Sequence, residues 1–287
     1  MNSNSGRRRK RKWVKIVFRH SGAHILLIAL SAFFAIPFVW QLSTSLKTPP
    51  QLFVFPPIWI PNPVKWSNYS EALAYIPFFT QLKNTVYISA MSVLGAAISC
   101  PLVAYSFSRI KWAGRNVLFF VLLATIMLPY QVLMIPLFVL FTRIGWVNTF
   151  NPLIVPHFFA NAFFVFLLRQ FFMTIPSELS DAARIDGANE FNIFLRVILP
   201  LAKPAIAVIV LFQLMGSWSD FLGPLIYLRD TAKYTLSLGL QYFQLAHTVE
   251  WSMMMAISVL ITVPIIVAFF FTQKTFIQGI NVTGLKE

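Results

Sequence analysis

Apolar residues in this chain cluster into six long stretches, and polar or proline-rich segments separate them. A helix needs about 20 consecutive apolar residues to cross a bilayer. The pattern predicts an all-helical membrane protein with transmembrane helices at about 23–43, 84–107, 117–141, 152–173, 204–227 and 251–272. Each helix would be connected to the next by a loop outside the hydrocarbon core.

The segments between these stretches suggest a division of the chain. We expect a basic cytoplasmic N-terminal segment, a first transmembrane helix, an extracytoplasmic loop too rich in proline to continue that helix, a transmembrane domain and a cytoplasmic tail. Their predicted ranges are 1–22, 23–46, 47–82, 83–273 and 274–287.

Three local patterns inside the predicted spans have structural consequences. The small residues 95–99 would let another helix approach the second span closely. Pro129 and Pro136 interrupt the third span and predict a kink there. Asp220 lies in the fifth span, where an acid either lines a polar cavity or bonds to a neighbouring helix.

The distribution of charged residues predicts the orientation of the chain in the membrane. Of the 287 residues, 57% are hydrophobic and 11% are charged, and the net charge is +14. With six spans, 17 of the 23 lysines and arginines fall on the side of the N-terminus and six on the other side. The positive-inside rule therefore predicts that both termini and segment 175–203 are cytoplasmic. The basic N-terminal run precedes an apolar span, which favours contact with anionic lipid and argues against a nucleic-acid partner.

Segment 175–203 is the most polar part of the second half, and its pattern predicts a helical hairpin. Leu179, Ala182, Ala183 and Asp186 follow the spacing of one helical face over 177–186, and Gly187 would end that helix. Asn189 would cap a second helix. Its apolar positions are Phe191, Phe194, Leu195 and Ile198, and Pro200 would close it.

Residues for chemistry are scarce. No glycine-rich loop could hold ATP phosphates, the four histidines lack the spacing of metal ligands, and the single cysteine, Cys100, excludes a disulfide within the chain. Asp220 has no basic partner in another span, which gives little support to an ion-coupled carrier. The sequence therefore predicts a protein that is not an enzyme, with no metal site and no cofactor.

The hairpin also carries a family resemblance. Its motif residues are Asp181-Ala182-Ala183, Asp186-Gly187-Ala188, Phe194, Leu199-Pro200 and Pro204. They resemble the cytoplasmic loop of permease subunits of binding-protein-dependent ABC importers, in which a glutamate stands where this chain has Asp181. Further segments between about 66 and 285, among them Trp218-Ser219-Asp220-Phe221, are similar to the carbohydrate branch, specifically the six-helix second permease of maltose-type transporters.

The resemblance implies a type I ABC importer transmembrane fold in the bacterial cytoplasmic membrane. It also implies four partners besides the lipid bilayer: a second, different permease, two ATP-binding subunits that hold ATP and Mg, and an extracytoplasmic solute-binding protein. Contact with the ATPase is expected from Glu178, Asp181, Ala182, Ala183, Arg184, Asp186, Gly187, Phe194, Leu199 and Pro200. The translocation path is expected to include Trp218, Ser219 and Asp220.

The function implied is that of a permease subunit forming half of the path for a sugar or oligosaccharide. The same architecture could import another solute such as glycerol phosphate. An ion-coupled secondary transporter and a membrane scaffold are alternatives of a different class, and neither explains the charged hairpin. The sequence does not identify the sugar, because selectivity would also depend on the partner permease and the binding protein.

Overall fold

The computed structural model describes the backbone of residues 4–245 and 250–283 and the side chains of 22–244 and 250–273. The structure is all-helical, with 78% helix and no strand in those described parts of the chain. The helices are α1 (Asn4–Ser45), α2 (Ser67–Tyr75), α3 (Phe78–Ser108), α4 (Arg115–Ile126), α5 (Tyr130–Arg143), α6 (Asn151–Ile154), α7 (Ala162–Thr174), α8 (Ser177–Ile185), α9 (Glu190–Leu201), α10 (Lys203–Ser219), α11 (Leu222–Tyr227), α12 (Leu236–Gly239), α13 (Tyr242–Leu245) and α14 (Trp251–Thr283).

Within the described residues, four helical segments are long and apolar enough to cross a membrane: Gly22–Ser45, Phe78–Ser108, Asn151–Thr174 and Trp251–Gln273. Two further pairs of helices, α4 with α5 and α9 with α10, are each bent at a short break and raise the number to six if each pair is one span. The prediction of a polytopic all-helical protein is confirmed. The helices α1 and α14 extend into the segments predicted as terminal tails.

The predicted kink in the third span is a sharp break. Helices α4 and α5 meet at 98°. Pro129 takes an extended conformation and precedes α5, whereas Pro136 lies inside α5 without interrupting it. A proline cannot donate a backbone hydrogen bond, and the residue before it is disfavoured in a helical conformation, so the break falls just before Pro129.

The fifth span differs from the prediction of one continuous helix over 204–227. Helix α10 ends at Ser219, Asp220 is extended and α11 begins at Leu222. The Asp220 carboxylate accepts a hydrogen bond from the Gly223 backbone N–H at 3.1 Å. An acceptor in this position satisfies a donor at the start of α11, which makes the restart after the break favourable.

The chain forms two compact units, residues 1–72 with 249–259, and residues 73–248 with 260–287. In the first unit the apolar window of α1 has no buried residue, as expected of a helix that faces lipid. The end of α1 is held to α2 by Asn68, whose Nδ2 donates to the carbonyls of Ser45 and Lys47, both at 2.9 Å.

In the second unit α3 packs against α7 and α10. The core between them contains, among others, Ala96, Cys100, Leu168, Phe172 and Ile209, all less than 2% exposed. Cys100 is thus a packing residue. The small residues 95–99 permit the close approach that the sequence predicts, because a Cβ atom at Gly95 would lie 2.6 Å from the Phe158 ring.

Candidate functional site

The hairpin of α8 and α9 has the turn that the sequence predicts. Helix α8 ends at Ile185, and Gly187 has a φ of 82°, in the left-handed region that favours glycine. The Ala188 N–H donates to the Ala183 carbonyl at 2.9 Å, which closes the end of α8. The Asn189 side chain accepts from the Asn192 N–H at 2.9 Å, so its predicted role as the cap of α9 is confirmed.

Helix α9 anchors the hairpin in the protein core. Ile193, Phe194 and Ile198 are buried, and the Phe194 ring lies 5.2 Å from the ring of Tyr105 on α3. The helix contains a π-helical turn over Phe194–Ile198. It ends at Leu201, one residue beyond Pro200, where the sequence predicts its end. A π turn is wider than an α turn, which relieves the clash between a proline ring and the preceding turn.

Helix α8, in contrast, is largely exposed. Leu179 is 44% exposed and Ile185 is 88% exposed. Of the four residues on the face predicted from spacing, Ala183 is half-buried and packs against the core, and the other three are exposed. The buried residue of α8 is Ser180, which belongs to a different face. The hairpin therefore has a helix anchored in the core, α9, and a largely exposed helix, α8, with apolar residues on its surface.

A chain of polar contacts joins the hairpin to α3. Arg184 on α8 contacts Asp181 at 2.6 Å and Glu190 at 2.9 Å. The second Glu190 oxygen accepts a hydrogen bond from the Tyr105 hydroxyl at 2.7 Å. The Arg184 guanidinium and then the Tyr105 hydroxyl lower the pKa of Glu190, and the hydrogen bond to Glu190 raises the pKa of Arg184. Glu190 was not among the predicted site residues, although an acid directly after a helix cap was a signal for it.

Arg109, just after α3, fixes the segment that leads into the hairpin. One of its guanidinium nitrogens donates to the Phe172 carbonyl at 2.6 Å and to the Ile175 carbonyl. These carbonyls lie at the end of α7, where helical partners run out, and the Phe172 carbonyl otherwise accepts from the Ile175 N–H at 3.3 Å, so the arginine adds a charged donor there. The start of α8 is therefore tied to the end of α3.

The predicted ATPase-contact residues are mostly on the surface. Phe194 is buried, and Ala183 and Leu199 are half-buried. The exposed members are Glu178, Asp181, Ala182, Arg184, Asp186, Gly187 and Pro200.

A cavity of about 470 Å³ lies in the second unit, beside the break in the fifth span. Its polar lining includes Gln213, Ser217, Asp220, Asn161 and His157. The Gln213 side chain donates to the Ser217 hydroxyl at 2.7 Å. The lining combines these polar side chains with an apolar wall, so the cavity can offer hydrogen bonds to a polar solute.

Of the three predicted path residues, Asp220 lines this cavity. Trp218 is 6% exposed and donates its indole N–H to the Ile261 carbonyl at 3.1 Å, so it joins α10 to α14. Ser219 is exposed and is not part of the cavity lining. Its carboxylate also accepts the bond from Gly223, which is a local contact within the same predicted span and not a bond to a helix of another span.

An all-helical chain with broken apolar spans, a cavity that carries several polar side chains and a charged hairpin has the features of a membrane transport component. Residues 92–282 match the family described as binding-protein-dependent transport system inner membrane component, and the chain belongs to this family. Its members are transport components, which confirms the prediction that the chain is not an enzyme.

Two named relatives are sugar-transport permeases. The chain is 37% identical to the arabinooligosaccharides transport system permease protein AraQ of Halalkalibacterium halodurans, over 73% of this chain and 75% of the relative. It is 28% identical to the diacetylchitobiose uptake system permease protein NgcG of Streptomyces coelicolor, over 90% of this chain and 86% of the relative. These similarities confirm the resemblance to the carbohydrate branch of importer permeases.

A solved structure of a transporter chain has the same fold as this protein. A chain of a bacterial ABC transporter involved in the import of the acidic polysaccharide alginate matches with a TM-score of 0.77 and 26% identity, over 96% of this chain and 99% of that chain. This similarity and the apolar helices support a multi-pass protein of the bacterial membrane.

Proposed function

We propose that the chain forms half of the translocation path of an ATP-driven importer for a sugar or oligosaccharide. The observation that carries the proposal is family membership over 92–282 together with relatives named for sugar transport. A second, different permease would form the other half. A binding protein outside the membrane would deliver the solute, as the alginate transporter structure with a periplasmic protein suggests by analogy.

In this proposal the chain crosses the membrane six times, with α4 and α5 counted as one span and α10 with α11 as another, and both termini and the hairpin lie in the cytoplasm. The uneven distribution of lysine and arginine supports this orientation. The break at Asp220 would lie at membrane depth, where irregular backbone is tolerated if it faces protein or a cavity. The cavity beside it supports that placement.

The hairpin would couple this path to two separate ATP-binding subunits. Its largely exposed helix α8 presents apolar and charged groups on the surface, while α9 is held in the core by Ile193, Phe194 and Ile198. A displacement of α8 by a partner would thus be passed to α3 and α7 rather than absorbed by a flexible loop. ATP binding and the loaded binding protein would bias the equilibrium between inward-facing and outward-facing states.

A reconstitution experiment tests the proposal. The full-length chain, tagged and expressed in its native host, is expected to co-purify with a nucleotide-binding subunit and a second permease. In vesicles, this assembly with its binding protein should accumulate labelled oligosaccharide only when ATP is present. Uptake driven by a proton gradient without ATP would overturn the proposal in favour of an ion-coupled carrier.

A further inference from the structure

A group of cationic side chains lies where α3 is followed by α4. Lys111 and Arg115 line a small cavity of about 250 Å³, together with Trp112, Gly114, Asn116 and Val117. Arg169 on α7 lies close enough to Arg115 for the two positive charges to repel each other. We call Lys111, Arg115 and Arg169 the basic cluster.

Among the side chains that the structure describes, no carboxylate pairs with the basic cluster. The two guanidinium groups have neutral partners instead. Arg115 donates to the Ile110 carbonyl at 3.1 Å, and Arg169 donates to the Phe107 carbonyl at 3.1 Å and lies over the Phe119 ring, 4.1 Å from its centroid. Each guanidinium has five N–H donors, so most of them stay available. Neighbouring like charges with free donors are a favourable setting for an anion with several acceptor oxygens.

The surface beside the cluster shows which anion fits. Helix α4 begins at Arg115, and three apolar residues of its first two turns are strongly exposed: Val117 is 67% exposed, Leu118 53% and Phe120 73%. Trp112 lies at the same level, and tryptophan prefers the boundary between hydrocarbon and headgroups. The positive charges therefore lie next to an exposed apolar surface. A phospholipid would contact both the charges and this surface, whereas a soluble anion would contact only the charges.

We propose that the basic cluster binds the phosphate of an anionic phospholipid, whose acyl chains lie along the exposed face of α4. The lipid belongs to the leaflet on the side of the hairpin, which is the cytoplasmic leaflet in the proposed orientation. Basic pockets next to transmembrane helices recognise such headgroups, and each lysine or arginine near the surface strengthens the attraction. The identification of the leaflet rests on the proposed function, whereas lipid binding itself does not.

Native mass spectrometry of the purified full-length chain, titrated with phosphatidylglycerol or phosphatidylcholine, measures the binding. Wild type is expected to prefer phosphatidylglycerol. Lys111→Gln and Arg115→Gln should each weaken its affinity by about five-fold, with little effect on phosphatidylcholine. Arg115→Lys keeps the charge and should retain most of the affinity, which separates charge loss from misfolding.

Arg143→Gln is the matched control, because Arg143 is an exposed arginine that lines neither cavity. The proposal is wrong if phosphatidylglycerol binds equally well to both glutamine variants and to wild type, or if the control weakens it as much. Inorganic phosphate that displaces the lipid at similar concentration would reassign the site to a free anion. The assay needs neither ATP nor sugar, so its failure leaves the proposed transport function intact, and loss of transport leaves this result intact.

Discussion

Replacing Glu190 by glutamine tests the polar chain that joins the hairpin to α3. The substitution keeps the size of the side chain and one carbonyl acceptor but removes the negative charge. In wild type, Glu190 accepts from Arg184 at 2.9 Å and from Tyr105 at 2.7 Å. These contacts use different Glu190 oxygens, so in Glu190→Gln the single carbonyl can replace only one of them, and the amide NH2 group faces the other partner.

The expected magnitude follows from the exposure of the partners. The side chains of Arg184 and Glu190 are 41% and 44% exposed, so their ion pair contributes only about 0.2–1 kcal/mol. Tyr105 is 4% exposed, and a hydrogen bond from it to a charged group contributes about 1.5–3 kcal/mol, part of which the amide retains. We expect a loss of about 1–2 kcal/mol in the local stability of the hairpin, or a factor of about 5–30 in its opening equilibrium.

Hydrogen exchange of the hairpin amides, read by mass spectrometry on the protein in nanodiscs, measures this opening. Tyr105→Phe removes the stronger contact entirely and should have at least as large an effect, and the double variant should lose less than the sum of the two because the residues share a contact. Asp186→Asn is the control, since this exposed acid has no hydrogen bond or ion pair from its side chain within the described part of the chain. Unchanged protection of residues 184–193 in Glu190→Gln would refute the reasoning.

Four other outcomes are expected. The Gly187→Leu variant should insert normally but lose ATP-driven uptake. A side chain at a φ of 82° costs about 1–2 kcal/mol and would change the direction of α9. Normal uptake would contradict this. Asp181→Asn should weaken ATPase association at least about tenfold in a titration on reconstituted permease, and Asp181→Glu should match the parent. Asp220→Asn keeps an acceptor for Gly223 and should reduce oligosaccharide uptake without creating or removing a dependence on a proton gradient. The lowered pKa of Glu190 means that its stabilisation is present above the ordinary value of 4.5 and is lost as the pH falls through the lower folded value, so hairpin exchange should accelerate only in acid.

Local signals in the sequence predicted much of the hairpin. Gly187 and Asn189 act through their own backbone geometry or through a partner three residues away, and such effects are readable from spacing. The family motif added the expected function. The π turn in α9 was not predictable in this way, because it depends on how Phe194 and Ile198 fit a core made by α3 and α7.

Contacts between residues that are far apart in the sequence could not be predicted either. Glu190 meets Tyr105 across 85 positions, and nothing in either neighbourhood specifies that pairing. The break at Asp220 was missed for another reason: apolar residues continue on both sides of it, so hydropathy alone favours one helix. Asp220, which stood out in the sequence for its charge, is also the residue whose side chain stabilises the start of the next helix.

The close contact between Gly95 and Phe158 has a consequence for how this protein can change over generations. No side chain fits at position 95 while the phenyl ring lies 2.6 Å from the site of its Cβ atom. Drift at the two positions should therefore be linked, with alanine or serine accepted at 95 only after a smaller residue has appeared at 158. A library that randomises both codons and is selected for uptake would show this order as a forbidden combination of large residues at the two positions.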